Sequence, residues 1–325
     1  MKAWVIREAG GPEQFHLEDL PIPEPKKGWA LIRVRAFGLN RSEWFTRRGD
    51  SPTVKFPRVL GIECVGETID AGGLDLTKGT KVAAIMGGMG RQFDGSYAAY
   101  TSVPHGCVFP IQTQLSWDRL AALPEMLQTT LGSLQVGLEI DRAESLLIRG
   151  GTSSIGMAAL AIAQKSGLRV GTTTRSPKRN AELKSAGADD VWIDDGQIHV
   201  QMQKQKFKPY DRVLELIGTK TLLDSMRCVG RGGIVCMTGI LGGEWVLPDF
   251  HPMGDIPTGV KLTSYSGEAA DLKPADLQRY VNLFEQGAFD IKVGPVFEFE
   301  DLRKAHELMD ANKAGGKIVV RGVSE

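Results

Sequence analysis

The chain has 325 residues, with 39 Lys and Arg against 39 Asp and Glu, and 42% of its residues are hydrophobic. This length suggests about two domains of ordinary size, which are large enough to bury a core without disulfides or metals. The balanced charge excludes a global field that would draw the protein to nucleic acid or to an anionic membrane. We therefore expect a globular protein that has neither as a partner.

The sequence carries no targeting or membrane signal. The first residues alternate as in a strand, and no charged segment leads into the apolar core of a secretory signal. No stretch approaches the ~18–20 uninterrupted apolar residues of a spanning helix. The four cysteines at positions 64, 107, 228 and 236 form no CxxC pair and are interpreted as reduced thiols. These features predict a cytoplasmic protein.

The sequence pattern of the first 115 residues is typical of an irregular β-rich domain. Short runs of strand-forming residues alternate with Gly and Pro, and these runs lie at 30–36, 64–69, 81–86 and 97–103. Turn residues between such runs are typical of a sheet or barrel in which the chain reverses often.

After residue 115, helical and strand-like segments alternate. The predicted helices lie at 117–138, 157–165, 178–186 and 222–229. The predicted strands lie at 145–148, 169–174, 212–216 and 234–237. Alternation at this spacing indicates βαβ units and an α/β fold with a doubly wound parallel sheet.

The last segment of the chain is too short for a core of its own. It contains two predicted helices at 274–286 and 300–312, followed by a predicted strand at 317–321. We expect this tail, residues 266–325, to complete the β-rich domain of residues 1–115. Residues 116–265 would then form the α/β domain.

The motif with the clearest chemical meaning follows the apolar run that ends at Arg149. It consists of Gly150, Gly151, Thr152, Ser153, Ser154, Ile155 and Gly156. A Gly-rich turn between a buried strand and a helix directs the first amides of that helix toward a bound phosphate. Gly151 and Gly156 match the outer positions of GxGxxG, and Ser153 stands at the middle position. Strand, turn, helix and second strand occur in the order of a dinucleotide site, which favours that interpretation over an empty structural turn.

The end of the second strand indicates which dinucleotide is bound. An NAD-selective site places Asp or Glu ~20 residues after the glycines, whereas no acid occurs here between Gly167 and Ala181. Hydroxyl and cationic side chains stand there instead, at Thr174, Arg175, Ser176, Lys178 and Arg179. They would hold the 2′-phosphate of NADPH through charge-assisted hydrogen bonds. The alternative is a solvated basic start to a helix, which the helix dipole mildly disfavours. Gly239 and Ile240 complete the predicted cofactor contacts.

Several motifs together carry a family resemblance over essentially the whole chain. They are Gly38-Leu39-Asn40-Arg41-Ser42-Glu43, Leu60-Gly61-Ile62-Glu63-Cys64-Val65-Gly66, Gly95-Ser96-Tyr97-Ala98, Leu123-Pro124-Glu125, the glycine turn, and Gly316-Lys317-Ile318-Val319-Val320. In this order they resemble the medium-chain dehydrogenase/reductases, and within them the zeta-crystallin-like quinone oxidoreductases.

The resemblance implies a GroES-like N-terminal domain completed by the tail, a Rossmann domain, and an active site in the cleft between them. It also implies a homodimer or homotetramer. In related reductases, residues that match Asn40 and Thr129 lie beside the nicotinamide, and a Lys that matches Lys317 approaches the cofactor. The residues alone also allow a structural interpretation, in which Asn40 caps a turn and the hydroxyl of Thr129 bonds to the backbone of its own helix.

The resemblance also predicts that no metal is bound. Zinc alcohol dehydrogenases of this superfamily have a catalytic Cys where this chain has Asn40, and a His-Glu pair where it has Ile62-Glu63. Catalytic zinc needs three N, S or O ligands and an open position, and Asn and Ile replace two of the ligands. The four-cysteine structural zinc lobe is missing as well.

These features predict an NADPH-dependent oxidoreductase that transfers hydride, without a metal, to a small electrophilic acceptor. Quinones and α,β-unsaturated carbonyls are suitable acceptors because they are already electrophilic, while the protein orients the cofactor. Asp50 and Ser51 follow Gly49, where many relatives carry a Tyr, so the proton would come from solvent or from an unidentified donor. The alternatives are a dedicated alkenal or enone double-bond reductase, and a non-enzymatic NADPH-binding sensor or structural protein.

Overall fold

The computed structural model describes residues 1–24 and 26–324. By contact, the chain forms two compact units. The first unit comprises Met1–Gln128, Glu268–Ala288 and Lys292–Glu325, and the second comprises Thr129–Gly267 and Phe289–Ile291. The domain boundaries expected at 115/116 and 265/266 stay predictions.

Strands occur along the whole chain. In order they are β1 (Lys2–Ile6), β2 (Phe15–Asp19), β3 (Trp29–Gly38), β4 (Arg58–Val59), β5 (Glu63–Asp70), β6 (Lys81–Ile85), β7 (Tyr100–Pro104), β8 (Val108–Pro110), β9 (Ser145–Arg149), β10 (Arg169–Thr174), β11 (Asp190–Ile193), β12 (Tyr210–Glu215), β13 (Val229–Met237), β14 (Lys261–Ser264), β15 (Val293–Phe297) and β16 (Lys317–Arg321).

The α-helices lie mostly in the second half of the chain. They are α1 (Arg41–Arg47), α2 (Trp117–Leu120), α3 (Pro124–Gly132), α4 (Ser154–Lys165), α5 (Asn180–Ser185), α6 (Ile198–Lys204), α7 (Thr219–Arg227), α8 (Pro252–Asp255), α9 (Pro274–Glu285) and α10 (Leu302–Asp310). Short 3-10 turns occur at Pro12–Gln14, His105–Cys107, Ile140–Arg142, Pro177–Arg179, Ala269–Asp271 and Phe299–Asp301. In the described part of the chain, no helix is long and apolar enough to cross a membrane.

The first unit is built on two sheets. The larger has the order β15-β16-β3-β5-β6-β8, with β7 also paired to β3, and the smaller has the order β2-β1-β4. The C-terminal strand β16 runs antiparallel to β3, with Val319 opposite Gly38. Phe15, Phe37 and Tyr97 pack in the core of this unit, so residues distant in sequence form one apolar interior.

The second unit is a six-stranded sheet in the order β11-β10-β9-β12-β13-β14. Every neighbouring pair in it is parallel. The order reverses between β9 and β12, and such a switch point is where open α/β sheets bind ligands beyond the carboxyl ends of their strands. The predicted doubly wound parallel sheet is confirmed. Strand β10 has the predicted bounds, 169–174.

The long helix predicted at 117–138 is broken into shorter pieces. Helix α2 ends at Leu120, α3 begins at Pro124, and Ser133–Gly137 continues it as a π-helix. Proline has no N–H and disfavours helical geometry in the residue before it, so it starts a helix more readily than it continues one. The prediction of a single helix was wrong, because the apolar spacing runs across this proline.

Helix α1 was not predicted. Its seven residues span about two turns, which is too short for a helical apolar period to stand out from the sequence. The helix follows β3 directly and carries Glu43 into the interior of the first unit, where that side chain is 1% exposed.

Candidate active site

The glycine turn of the second unit connects β9 to α4. Gly150 has a φ of +90°, a conformation that favours glycine. Ser153 caps the helix, since its Oγ accepts a hydrogen bond from the Gly156 amide at 3.0 Å and donates one to the Gly150 carbonyl at 2.8 Å. The cap fixes the first turn of α4 and leaves the other early amides for an anion.

Two further glycines in this turn are required by close approach. A Cβ on Gly151 would lie 1.6 Å from Thr172 Oγ1, and one on Gly156 would lie 2.5 Å from the Gly150 carbonyl oxygen. The backbone of the turn is thus drawn against β10 and against itself. Glycines at such close-packed positions are typical of turns that let the backbone approach the pyrophosphate of a dinucleotide.

Replacing Gly151 with alanine is expected to destabilise the second unit by about 1–3 kcal/mol, because the added methyl group overpacks against Thr172. Thermal unfolding of the purified variant measures the change. Gly254→Ala is the matched control, since a Cβ there has no atom within 4 Å. Equal stability of the two variants would contradict the close packing of the turn.

Two neighbouring loops meet the glycine turn. The amide of Gly239 donates to the Glu215 carbonyl at 3.1 Å, and a Cβ on Gly239 would lie 2.3 Å from the Leu216 carbonyl oxygen. A Cβ on Gly150 would contact Leu216 and Leu241, at 3.2 and 3.5 Å. The structure therefore brings Gly239 and the adjacent Ile240 to the same edge of the sheet as the glycine turn.

The basic segment predicted to hold a 2′-phosphate lies at the carboxyl end of β10. Thr174 Oγ1 accepts from the Ser176 amide at 3.2 Å, which shapes the turn. Arg179 forms two 2.7 Å hydrogen bonds with Glu182, so its guanidinium is already engaged. Arg175 and Lys178 are exposed. Of the predicted phosphate-binding cations, these two therefore point to solvent.

A buried charged network lies below the turn and was not predicted. Arg149 is 0% exposed and binds Asp194 through two hydrogen bonds, Nε to Oδ2 at 2.9 Å and Nη2 to Oδ1 at 2.8 Å. It also forms a salt bridge with Asp224. Asp194 accepts from Thr173 Oγ1 at 3.1 Å, and that hydroxyl oxygen accepts from the Gly150 amide at 3.0 Å. The network thus reaches the backbone of the glycine turn.

Glu215 holds the loop that follows β12. Its Oε1 accepts from the amides of Ile217 and Gly218, at 2.7 and 3.0 Å, and its Oε2 accepts from Thr221 Oγ1 at 2.9 Å. Burial raises the pKa of Glu215, against the opposing effect of Arg149. The sequence did contain a sign of this network, because Arg149 follows the apolar run Leu146-Leu147-Ile148 and Glu215 follows the apolar pair Val213-Leu214.

A second buried cluster lies in the first unit and centres on Lys317, which is 4% exposed. Its ammonium contacts Glu63 Oε1 at 2.8 Å and Glu125 Oε2 at 3.1 Å, and it donates to Asn40 Oδ1. An ammonium has three N–H donors, so the protein supplies one acceptor for each. A Cβ on Gly38 would lie 2.4 Å from Glu63 Oε1 and 2.6 Å from Lys317 Cε, so this glycine leaves room for the pair.

The carboxamide of Asn40 is held from both sides. Its Oδ1 accepts from Lys317, and its Nδ2 donates to Glu63 Oε1 at 3.1 Å and to Glu43 Oε1 at 3.3 Å. Asn40 occupies the N-cap position of α1, but within residues 26–324 its side chain makes no capping hydrogen bond. The side chain therefore forms hydrogen bonds within this cluster and does not cap the helix.

Burial dominates the electrostatics of the cluster. It raises the pKa of Glu63, although Lys317 opposes the rise, and it raises the pKa of Glu43 to about 7. Burial disfavours the charge of Lys317, but Glu63 and Glu125 outweigh it, and the pKa of Lys317 is raised. The charged form of Glu63 is also stabilised by a hydrogen bond, because its Oε2 accepts from the Glu125 amide at 2.8 Å. This amide lies in the first turn of α3, where the helix dipole favours a negative charge.

Asn40, Ile62 and Glu63, which the family resemblance aligns with the catalytic ligands of zinc alcohol dehydrogenases, do not offer a set of zinc ligands. Ile62 offers no donor atom, and the oxygens of Asn40 and Glu63 both bind the Lys317 ammonium. A divalent cation would have to displace a buried positive charge that already neutralises two carboxylates. A catalytic zinc site instead needs three ligands whose donor atoms are free to bind the metal.

Thr129 belongs to the second unit, whereas Asn40 and Lys317 belong to the first. It is half-buried, and its carbonyl accepts from Ser133 Oγ at 2.6 Å. The roles of Asn40, Thr129 and Lys317 at a nicotinamide stay predictions. Tyr97 is fully buried, stacks on Phe37 and shares a 3.2 Å hydrogen bond with His306, which is a structural setting.

Two segments match known protein families. Residues 26–113 match the alcohol dehydrogenase GroES-like domain, and residues 186–320 match the family of zinc-binding dehydrogenases. The quinone oxidoreductase of Sus scrofa is 27% identical over 329 residues, which is 98% of this chain and 97% of that protein. The chain belongs to the medium-chain dehydrogenase/reductase superfamily and is similar along its whole length to quinone oxidoreductases. It is an oxidoreductase, and the predicted combination of a Rossmann sheet with a GroES-like domain is confirmed.

Other relatives agree with this placement. The quinone oxidoreductase of Homo sapiens is 26% identical and spans 98% of this chain and 97% of its own. The structure of Escherichia coli quinone oxidoreductase complexed with NADPH has a TM-score of 0.84 at 17% identity, and it covers 99% of this chain and 100% of its own. A quinone oxidoreductase of Pseudomonas syringae has a TM-score of 0.86 at 20% identity, with 98% and 99% coverage. Such structural likenesses show the same fold in this medium-chain dehydrogenase/reductase.

Proposed function

We propose that this medium-chain dehydrogenase/reductase catalyses hydride transfer from NADPH to a quinone or an α,β-unsaturated carbonyl, without zinc. The observation that carries the proposal is the Lys317 ammonium, which contacts Glu125 and also Asn40 and Glu63, two positions that the family resemblance aligns with zinc ligands. Without a Lewis acid, the enzyme needs an acceptor that is electrophilic by itself. Quinones and conjugated carbonyls meet that need.

The cofactor preference is supported by the segment after β10. Exposed Arg175 and Lys178 follow a strand end that carries no acid, and Ser176 lies between them. A carboxylate at this place would repel a 2′-phosphate, whereas these cations would attract it. Two related structures, from Escherichia coli and from a mycobacterium, are complexes with NADPH, which also supports this preference.

The residues of this chain would bind and orient the reactants. When bound, NADPH supplies the hydride. The backbone of the glycine turn, with Gly150, Gly151 and Gly156, would hold the pyrophosphate, and Arg175 and Lys178 would hold the 2′-phosphate. Asn40, whose carboxamide is fixed by its neighbours, would orient the nicotinamide ribose or the acceptor, and Thr129 would also contact the nicotinamide. One proton must follow the hydride to complete the reduction.

Replacing Arg175 with alanine is expected to weaken NADPH binding by about 10- to 100-fold, because a charge-assisted hydrogen bond to phosphate is lost. Binding of NADH should change little. Isothermal titration of the wild type and the variant with both cofactors measures the effect. Lys165→Ala serves as the control, because it removes an exposed cation from α4. Equal affinity of the wild type for NADH and NADPH would contradict the phosphate assignment.

An acceptor screen tests the reaction itself. Multiple-turnover NADPH oxidation with a panel of quinones and enones is the expected result. Turnover confined to enones would identify a double-bond reductase, and the absence of turnover across the panel would contradict the proposed acceptor class. Size-exclusion chromatography with light scattering tests the predicted homodimer or homotetramer.

A further inference from the structure

The buried cluster of the first unit contains more acid than its cation balances. Glu43, Glu63 and Glu125 are at most 9% exposed, and Lys317 is the ammonium that lies among them. Lys317 forms ion pairs with Glu63 and Glu125. Glu43 instead accepts from two neutral donors, the Ile62 amide at 3.1 Å and Asn40 Nδ2 at 3.3 Å, both on its Oε1.

The second carboxyl oxygen of Glu43 is the unusual atom. Within residues 1–24 and 26–324, its Oε2 is buried and has no hydrogen-bond partner. A charged carboxylate with one bare oxygen in a protein interior is strongly disfavoured. A neutral acid at this position lowers that cost, since its charge is absent.

Among the residues that the structure describes, the other groups around Glu43 form no ion pair with it. The charged and titratable side chains on the elements packed around it include Arg47 on α1, Glu63 on β5, Tyr97 before β7, Glu125 on α3, His306 and Asp310 on α10, and Lys317 on β16. Arg47 pairs with Asp310 at 2.7 Å. Burial holds the pKa of His306 well below its usual range, so this imidazole is neutral.

We propose that Glu43 holds a proton in the working enzyme and that this neutral acid is a positioning residue, which keeps the Asn40 carboxamide in one orientation. When the proton leaves, a third carboxylate competes for the Lys317 ammonium. Asn40 Oδ1 then loses its donor, and the carboxamide is free to turn. Burial raises the pKa of Glu43 to about 7, so the proton leaves Glu43 as the pH rises through neutrality. The inference rests on the proposed function, in which Asn40 orients the reactants.

The pH dependence of turnover tests the proposal. The kcat of the wild type with NADPH and a quinone should fall by about tenfold per pH unit above a midpoint near neutrality, as the active protonation state is depleted. Glu43→Gln mimics the neutral acid, so this decline should disappear. Glu67→Gln, at a partly exposed acid paired with Arg35, should keep the wild-type profile. An unchanged decline in Glu43→Gln would overturn the proposal.

A measurement without cofactor or acceptor separates this inference from the proposed function. Infrared spectra of protein labelled with 13C-glutamate should show a protonated carboxylic acid near pH 6 that disappears by about pH 8 to 9, and Glu43→Gln should lack it. Absence of this band in the wild type would overturn the proposal even if the enzyme is active. A titrating Glu43 in a protein that oxidises no NADPH would support proton holding and contradict the proposed reaction instead. If Glu43→Gln fails to fold, absence of the band from the wild type still overturns the proposal.

Discussion

Replacing Lys317 with methionine is expected to lower the free energy of unfolding of the first unit by about 3–5 kcal/mol, because buried carboxylates lose their counter-ion. In the native protein, the Lys317 ammonium lies 2.8 Å from Glu63 and 3.1 Å from Glu125. Methionine has a similar length and fills the space, so the change isolates the charge. Urea unfolding followed by tryptophan fluorescence measures the loss.

The loss should depend on pH in a defined direction. Burial raises the pKa of Glu63 in the native protein, and Lys317 opposes that rise. Without Lys317, the folded state binds protons at Glu63 more readily than the unfolded state does, so its stability falls as pH rises. The variant should therefore lose more of the free energy of unfolding, relative to the wild type, at pH 8 than at pH 5. Lys304→Met, at an exposed lysine paired with Asp301, is the control and should leave stability unchanged. A Lys317→Met protein as stable as the wild type at pH 8 would contradict a role for this ion cluster.

Replacing Arg149 with methionine is the second large effect, and it acts on the second unit. The expected loss is again about 3–5 kcal/mol, because Asp194 and Asp224 would remain buried without their cation. Burial raises the pKa of Asp194, but the hydrogen bonds from Arg149 outweigh it and hold that pKa below its usual value. Stability from a carboxyl of lowered pKa is present above the unfolded pKa and is lost as pH falls. The difference in the free energy of unfolding between the variant and the wild type should therefore become smaller as the pH falls toward 3.

The Arg149 variant should also bind NADPH more weakly. Arg149 is linked to the Gly150 amide through Asp194 and Thr173, so its removal loosens the turn proposed to hold the pyrophosphate. Isothermal titration at a temperature where the variant is folded measures this second effect. Arg142→Met is the matched control, since Arg142 is 80% exposed and pairs with Glu139 at the surface. Its stability should change by less than about 1 kcal/mol.

The sequence alone determined the parts of this protein that depend on local physics. The glycine turn from Gly150 to Gly156 was predictable because a tight strand-to-helix turn needs residues without a side chain, wherever it occurs. The α/β order of the second unit was predictable because buried strands and amphipathic helices have different apolar periods. Strands β10 and β16 have the predicted bounds for the same reason.

The sequence was less informative where a local pattern was short or interrupted. The apolar spacing of 117–138 continues through Pro124, so it predicted one helix where the structure has α2, α3 and a π-helix. That break matters for the site, because it frees the Glu125 amide in the first turn of α3 to bind Glu63. Helix α1, which carries Glu43, is too short to have a period of its own.

Only the tertiary structure decided which charged residues meet. Asn40 and Lys317 are distant in sequence, and they meet because β16 pairs with β3 with Val319 opposite Gly38. Two residues further along the same register, Lys317 comes opposite Asn40. Arg149, the last residue of β9, likewise meets Asp194, which follows β11, because parallel strands place their carboxyl ends at one edge of the sheet, and Asp224 contacts the same guanidinium from α7. Ion pairing inside a protein depends on strand register and burial, and neither is encoded in the spacing of the charged residues themselves.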